Sequence, residues 1–258
     1  MIFSKLVNLF TAKYSSDLFH QEYAGKTHVG RVRKNNEDCL LMLPDIGLYL
    51  VCDGMGGHSS GERASKLAVD TIAAEIQNGK GLTEAILVAH REIAALESAA
   101  EQMAGKPGST VVALQIKGGS WQLCWVGDSR GWLLQQGKIE QLTVDHTVVQ
   151  QMVNWGDISE EEALTHPDRN RLSQALGSRD EPPVVGCVDG ALAPGMRFLL
   201  ATDGMALWNT PLSLEEVLGT GSADRVVDRL IELSLAEGGR DNVSCISVFL
   251  KIAEEPRE

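Results

Sequence analysis

The chain has 258 residues, with 23 Lys and Arg against 35 Asp and Glu, and a formal net charge of −12. Hydrophobic residues make up 43%, which is ordinary for a globular chain and too apolar for a disordered one. This charge excludes a general nucleic-acid binder and disfavours an anionic membrane surface, but bound cations would invert the local field and admit a phosphate-bearing substrate.

Residues 1–22 read as an N-terminal extension and 23–252 as one domain. Within the extension, Ile2, Phe3, Leu6, Val7, Leu9 and Phe10 have the spacing of a short amphipathic turn. Its apolar run is too short for a secretory leader, and no stretch reaches the ~18–20 apolar residues of a membrane span. Five cysteines (Cys39, Cys52, Cys124, Cys187 and Cys245) lie mostly in apolar runs without a CxxC. They read as reduced, packed thiols in a reducing compartment, the cytoplasm.

In chain order, strands are predicted at 39–43, 48–52, 110–116, 121–126, 131–136, 197–201 and 243–250, each rich in Leu, Val, Ile or Trp and bounded by Gly, Asp or Pro. Short turns such as Lys117-Gly118-Gly119-Ser120 make neighbouring strands antiparallel. Apolar residues at i, i+3, i+4 spacing predict helices over 62–77, 83–103 and 223–236. Residues 145–180 read as an inserted flap with short helices at 147–154, 159–164 and 170–175, broken by Gly156, Pro167 and Gly177. The fold class is α+β, with antiparallel sheets and helices outside.

The acids fall at strand boundaries. Leu48–Cys52 runs into Asp53-Gly54-Met55, and Phe198–Thr202 runs into Asp203-Gly204-Met205. Leu123–Val126 ends in Gly127-Asp128, while Glu37-Asp38 and Asp241 precede two further strands. In antiparallel sheets the end of one strand lies beside the start of its neighbour, so these acids gather at one rim. Such a cluster beside apolar strands stays ionised only with cations. An all-oxygen set favours Mg²⁺ or Mn²⁺ over Zn²⁺, and so many carboxylates suggest two ions bridged by an Asp. Gly54 lets the backbone carbonyl approach a ligand. A lone Asp-Gly is only a turn signal, and Asp189-Gly190 is read as a turn.

Six segments carry a family resemblance: 30–38 (GRVRKNNED), 51–57 (VCDGMGG), 108–110 (GST), 126–130 (VGDSR), 201–204 (ATDG) and 240–242 (RDN). Together they resemble the protein phosphatase 2C (PPM) family of metal-dependent serine/threonine phosphatases, in its bacterial form, in the family's order and over nearly the whole chain. The resemblance implies an α/β/β/α sandwich of two antiparallel sheets flanked by helices, and hydrolysis of phosphoserine and phosphothreonine in proteins. It implies Asp53 bridging two Mn²⁺ or Mg²⁺ ions, with Asp38, Asp203 and Asp241 as further ligands. The Gly54 carbonyl and Glu37, through water, join them, and Asp128 with Asp203 would hold a weaker third ion. Arg33 matches the residue that grips the substrate phosphate. As partners it implies phosphoproteins and a cognate Ser/Thr kinase; the protein is expected to be a monomer. Animal members carry a His where this chain has Met55, which leaves the general acid open between metal-bound water and His58. His146 matches a family segment and is read as structural.

Three rivals are weighed. Gly127-Asp128-Ser129-Arg130-Gly131 fits the G-x-S-x-G elbow of serine hydrolases, but the chain continues as a strand where that elbow needs a helix. Gly25-Lys26-Thr27 lacks the first glycine of a P-loop, where His20 stands. A catalytically weak phosphoprotein-binding regulator is the remaining alternative, and the full set of ligand acids argues against it.

Overall fold

The structure, a computed structural model, describes residues 19–57, 59–99, 106–178, 181–205 and 213–252. The amphipathic pattern within residues 1–10, His58 and the end of the helix expected to reach residue 103 lie outside the described residues.

Two antiparallel sheets lie face to face. One has the order β1 (Phe19–His28), β11 (Val243–Ile252), β10 (Arg197–Ala201), β7 (Arg130–Gln135), β8 (Lys138–Gln141). The other has the order β2 (Asp38–Leu43), β3 (Leu48–Met55), β5 (Val111–Lys117), β6 (Ser120–Val126), β9 (Gly186–Ala191), with β4 (Gly108–Ser109) paired to β3. Strand β3 shows why its run is apolar throughout. Tyr49 and Val51 point into the layer between the sheets with Leu114, Phe198 and Val248. Leu48, Leu50 and Cys52 point outward to helices α1 (Ser59–Gln77) and α2 (Leu82–Ala99). The period-2 alternation therefore buries both faces.

On the other side, Leu199, Trp132 and Cys245 pack against Val226 and Leu230 of α6 (Ala223–Ala236), with α5 (Leu214–Gly219) beside them. The result is the expected α/β/β/α order. Each buried Leu or Phe contributes ~1.5–3 kcal/mol, so the sandwich is a stiff frame for the loops at its rim.

The flap holds α3 (Val148–Trp155), capped by the Thr147 hydroxyl, and α4 (Glu160–Thr165), with a Ser159–Glu162 capping box. The third flap helix, expected over 170–175, does not form. Its backbone is used in bridges instead: Leu172 pairs with Thr147, Leu176 with Ser109, and the Ser173 N–H donates to the His146 carbonyl (2.8 Å).

Two further readings are corrected. Asp189-Gly190 is no turn but part of β9, which pairs with β6 from Ser120↔Ala191 to Trp125↔Gly186. Gly186 and Gly190 lie under the Trp125 and Trp121 rings, where a Cβ would stand 2.4 and 2.9 Å from ring atoms, so these glycines serve close packing. That strand places Cys187 opposite Cys124, and the two form a disulfide; Cys39, Cys52 and Cys245 are free. Two of the five cysteines are therefore not the reduced thiols expected from the sequence. No helix among the described residues is long and apolar enough to cross a membrane.

Candidate metal centre

The rim begins with strand register. Asp38 on β2 stands directly opposite Asp53 on β3. One position along, the Gly54 N–H donates to the Glu37 carbonyl (3.1 Å), which makes 38–53 the non-hydrogen-bonded pair, the kind whose side chains approach most closely. The second sheet brings its own acids to the same end. Asp203 follows β10 and Asp241 precedes β11, strands paired through Ala201↔Cys245. Asp128 sits in the turn between β6 and β7, where the chain passes from one sheet to the other.

A cavity of about 700 Å³ opens at this rim. Its lining includes Arg33, Glu37, Asp53, Gly54, Asp128, Asp203 and Asp241, so seven of the eight expected site residues meet in one place. Asp38 lies behind them. Its Oδ2 accepts from Ser244 Oγ (2.7 Å) and Thr202 Oγ1 (3.0 Å). Its Oδ1 is buried with no hydrogen-bond partner among the described residues.

The charges are poorly balanced. Burial, then the charges of Asp38, Asp203, Asp128 and Asp241, push the Asp53 carboxyl well above the usual range. Burial also raises Asp38 to about 7, against the Ser244 and Thr202 hydrogen bonds, with Asp203 and Asp241 adding repulsion. Asp128 reaches about 7 through burial and the Asp203 and Asp145 charges. Asp203 keeps an open face to the cavity yet is also raised, first by desolvation and then by Asp241, against a hydrogen bond with Asp53. Arg33 and Lys106 bring positive charge to the cavity lining, and Arg33 Nη2 donates to Asp241 Oδ2 (2.7 Å). Burial works against its charge, but Asp241, Glu37 and Asp53 outweigh it and hold the guanidinium above its ordinary value.

Among the described residues, no three His, Cys, Asp or Glu side chains already close around one point as a finished cage. The rim is instead open and oxygen-rich. That suits hard divalent cations, which complete their shells with water, and not the closed N/S cage of structural zinc. The orphaned Asp38 Oδ1 and the uncompensated carboxylates fit such ions.

Several residues without a motif role hold the rim. The Asn242 amide is a hub: Oδ1 accepts from the Glu37 N–H (2.8 Å), and Nδ2 donates to the Val29 and Asn35 carbonyls (both 2.9 Å). The Asp53 N–H donates to Thr110 Oγ1 (3.0 Å), which pairs with the buried Ser129 hydroxyl (2.7 Å). Ser129 is thus consumed in structure, and Arg130–Gln135 continues as strand, so the serine-hydrolase elbow fails. The two Asp-Gly glycines are needed for space. A Cβ on Gly54 would lie 2.1 Å from the Gly61 carbonyl oxygen, and one on Gly204 1.9 Å from that of Asn242. Met55 lines the cavity. His146 Nδ1 accepts from the Gly127 N–H (3.3 Å), and the His146 backbone N–H donates to the Gly127 carbonyl (2.9 Å), which clamps the turn before Asp128.

Comparison with known proteins agrees with this geometry. Residues 21–152 match the family described as Protein phosphatase 2C. The chain is 35% identical over 233 residues to the serine/threonine protein phosphatase PstP of Mycobacterium tuberculosis, covering 87% of this chain but only 44% of that one. It is 31% identical over 258 residues to the serine/threonine phosphatase stp of Listeria monocytogenes, covering 93% of this chain and 99% of that one. A crystal structure of the catalytic domain of PstP in complex with two manganese ions superposes with a TM-score of 0.78 at 32% identity, over 90% of this chain and 99% of the other. On sequence, fold and rim together, this chain belongs to the protein phosphatase 2C family.

Proposed function

We propose that this protein is a metal-dependent phosphatase that hydrolyses phosphoserine and phosphothreonine in proteins by direct attack of water, with no covalent phosphoenzyme. The observation that carries the reading is the in-register Asp38–Asp53 pair, joined at one cavity by Asp203, Asp241 and Arg33. The names of its relatives and the two manganese ions of PstP support it.

In this reading Asp53, Asp38, Asp203 and Asp241 would hold two Mn²⁺ or Mg²⁺ ions. The Gly54 carbonyl would assist, Glu37 would act through water, and Asp128 with Asp203 would take a weaker third ion. When bound, such ions lower the pKa of water and offset phosphoryl charge. The chain's own part is positioning. Ser244 and Thr202 fix the Asp38 carboxylate, so that its free oxygen faces one direction. Thr110 and Asn242 hold the backbones of Asp53 and Glu37. Arg33, at the cavity edge, presents a guanidinium for two-point capture of phosphoryl oxygens. The family resemblance makes a Ser/Thr kinase the counterpart enzyme; that this chain acts as a monomer in the cytoplasm is part of the same proposal.

The test is turnover of a phosphothreonine peptide by purified protein with Mn²⁺, beside Asp203→Ala. Release of phosphate by wild type and its loss in the variant support the proposal. Binding of the peptide without turnover by wild type favours the phosphoprotein-binding alternative.

A further inference from the structure

The Cys124–Cys187 disulfide joins cross-strand neighbours whose Cα atoms are 4.2 Å apart. Its two ends are unequal. Cys124 is fully buried, whereas Cys187 is exposed. Cys187 Sγ also lies 3.3 Å from Thr83 Oγ1. Thr83 is the second residue of α2, so this sulfur sits at the N-terminal end of an 18-residue helix. A helix N-terminus favours a thiolate, and an accessible thiolate is the reactive form of cysteine. The free cysteines lack this combination. Cys52 and Cys245 are fully buried, Cys39 is half-buried, and burial pushes the Cys245 thiol up to about 12.

The place of the bond in the fold gives it leverage. β9 is an edge strand whose partner is β6. The segment entering β9 from the flap carries Leu176, Gly177 and Ser178, which line the candidate site. That segment is held by the Gly177 N–H on His90 Nδ1 (3.1 Å) and by the Val184 N–H on Gln174 Oε1 (2.7 Å).

We propose that Cys124 and Cys187 form a reversible two-cysteine redox site, with Cys187 as the reactive thiol, a hydroperoxide as oxidant and a dithiol as reductant, and that closing it pins the edge strand β9. In the reduced protein the Cys187 thiolate attacks a peroxide oxygen. The O–O bond breaks, a sulfenic acid forms on Cys187, and the leaving oxygen takes a proton. The Cys124 thiol then attacks that sulfur; the S–S bond forms, the S–O bond breaks, and the departing hydroxide leaves as water with the Cys124 proton. Two electrons pass from the thiol pair to the peroxide. A dithiol reverses the change by exchange and is itself oxidised to a disulfide.

The test uses the full chain, reduced with dithiothreitol, desalted, then treated with hydrogen peroxide or left reduced. Free thiols are mapped by alkylation and peptide mass spectrometry, and amide hydrogen exchange is read over 184–191. Peroxide is expected to convert Cys124 and Cys187 to a linked peptide pair at least about tenfold faster than it consumes Cys39, Cys52 or Cys245. Exchange over 184–191 is expected to slow about tenfold on oxidation. In Cys124→Ser, a sulfenic acid trapped by dimedone should appear at Cys187; the wild-type measurement stands even if that variant fails to fold. Peroxide leaving both thiols intact, oxidation of the buried thiols at the same rate, or exchange over 184–191 unchanged between the two states would overturn the proposal.

Discussion

Asp38 and Asp53 face each other across β2 and β3, in the register position where side chains lie closest, and both are raised by burial and by neighbouring carboxylates. A bare protein gains nothing from that arrangement; it is an unfavourable pairing kept at a rim.

The first consequence is a stability profile. Asp38 and Asp128 titrate near 7 in the folded chain against 3.8 as ordinary aspartates. Their folded values are raised, so the stability they contribute is complete below pH ~4 and is lost as pH rises through about 7. The metal-free protein should therefore melt at a lower temperature near pH 8 than near pH 5. Mn²⁺ should raise the melting temperature most at the alkaline end, because it binds the ionised carboxylates. Calorimetry with and without chelator checks this; a flat metal-free profile contradicts it.

Asp53→Asn separates stability from activity. Removing this buried charge should raise the metal-free melting temperature near pH 8 and lower kcat/KM by about a hundredfold or more. A less stable variant, or one with near-normal turnover, would show that Asp53 is not the centre of the cluster.

Arg33 is predicted to act on the substrate phosphate. Arg33→Lys keeps a charge but loses the planar fork, and should lower kcat/KM about tenfold or more, mainly through KM. Arg33→Ala should lose more. Steady-state kinetics on one phosphopeptide decide the matter.

Asn242→Ala removes three hydrogen bonds and leaves the Glu37 N–H and two carbonyls to find other partners. A loss of ~1–3 kcal/mol in unfolding free energy is expected, read by urea denaturation. An unchanged midpoint would mean that the loop holds itself.

Flanking charge should matter. Two divalent ions would bring the formal charge from −12 to about −8, with the surface still acidic. Phosphopeptides with basic flanks should then react faster than acidic ones at low salt, and the gap should close as salt rises. Equal rates at low salt would dispose of the idea.

Much of the sandwich was legible from the sequence because its strands are apolar on both faces and its outer helices keep a 3.6-residue period; Arg197–Ala201 and Ala223–Ala236 fall where predicted. The rim was legible because acids at strand boundaries meet by antiparallel geometry. What escaped lacks a local signal. β1 (Phe19–His28) is an edge strand with mixed polarity. β9 hides behind an Asp-Gly pair that imitates a turn, and with it went the position of Cys187 opposite Cys124. Asn242, Thr202 and Ser244 do their work through hydrogen bonds to residues more than 160 positions away, which no spacing rule reveals.

The most direct test of the central claim is equilibrium dialysis of metal-stripped protein against Mn²⁺, with phosphothreonine-peptide hydrolysis measured on the same samples. The account predicts negligible turnover in the stripped protein. Activity should return as about two ions bind per chain, with a third only at higher concentration. Full turnover in the stripped protein, or Mn²⁺ binding that Asp53→Asn leaves unchanged, would contradict it.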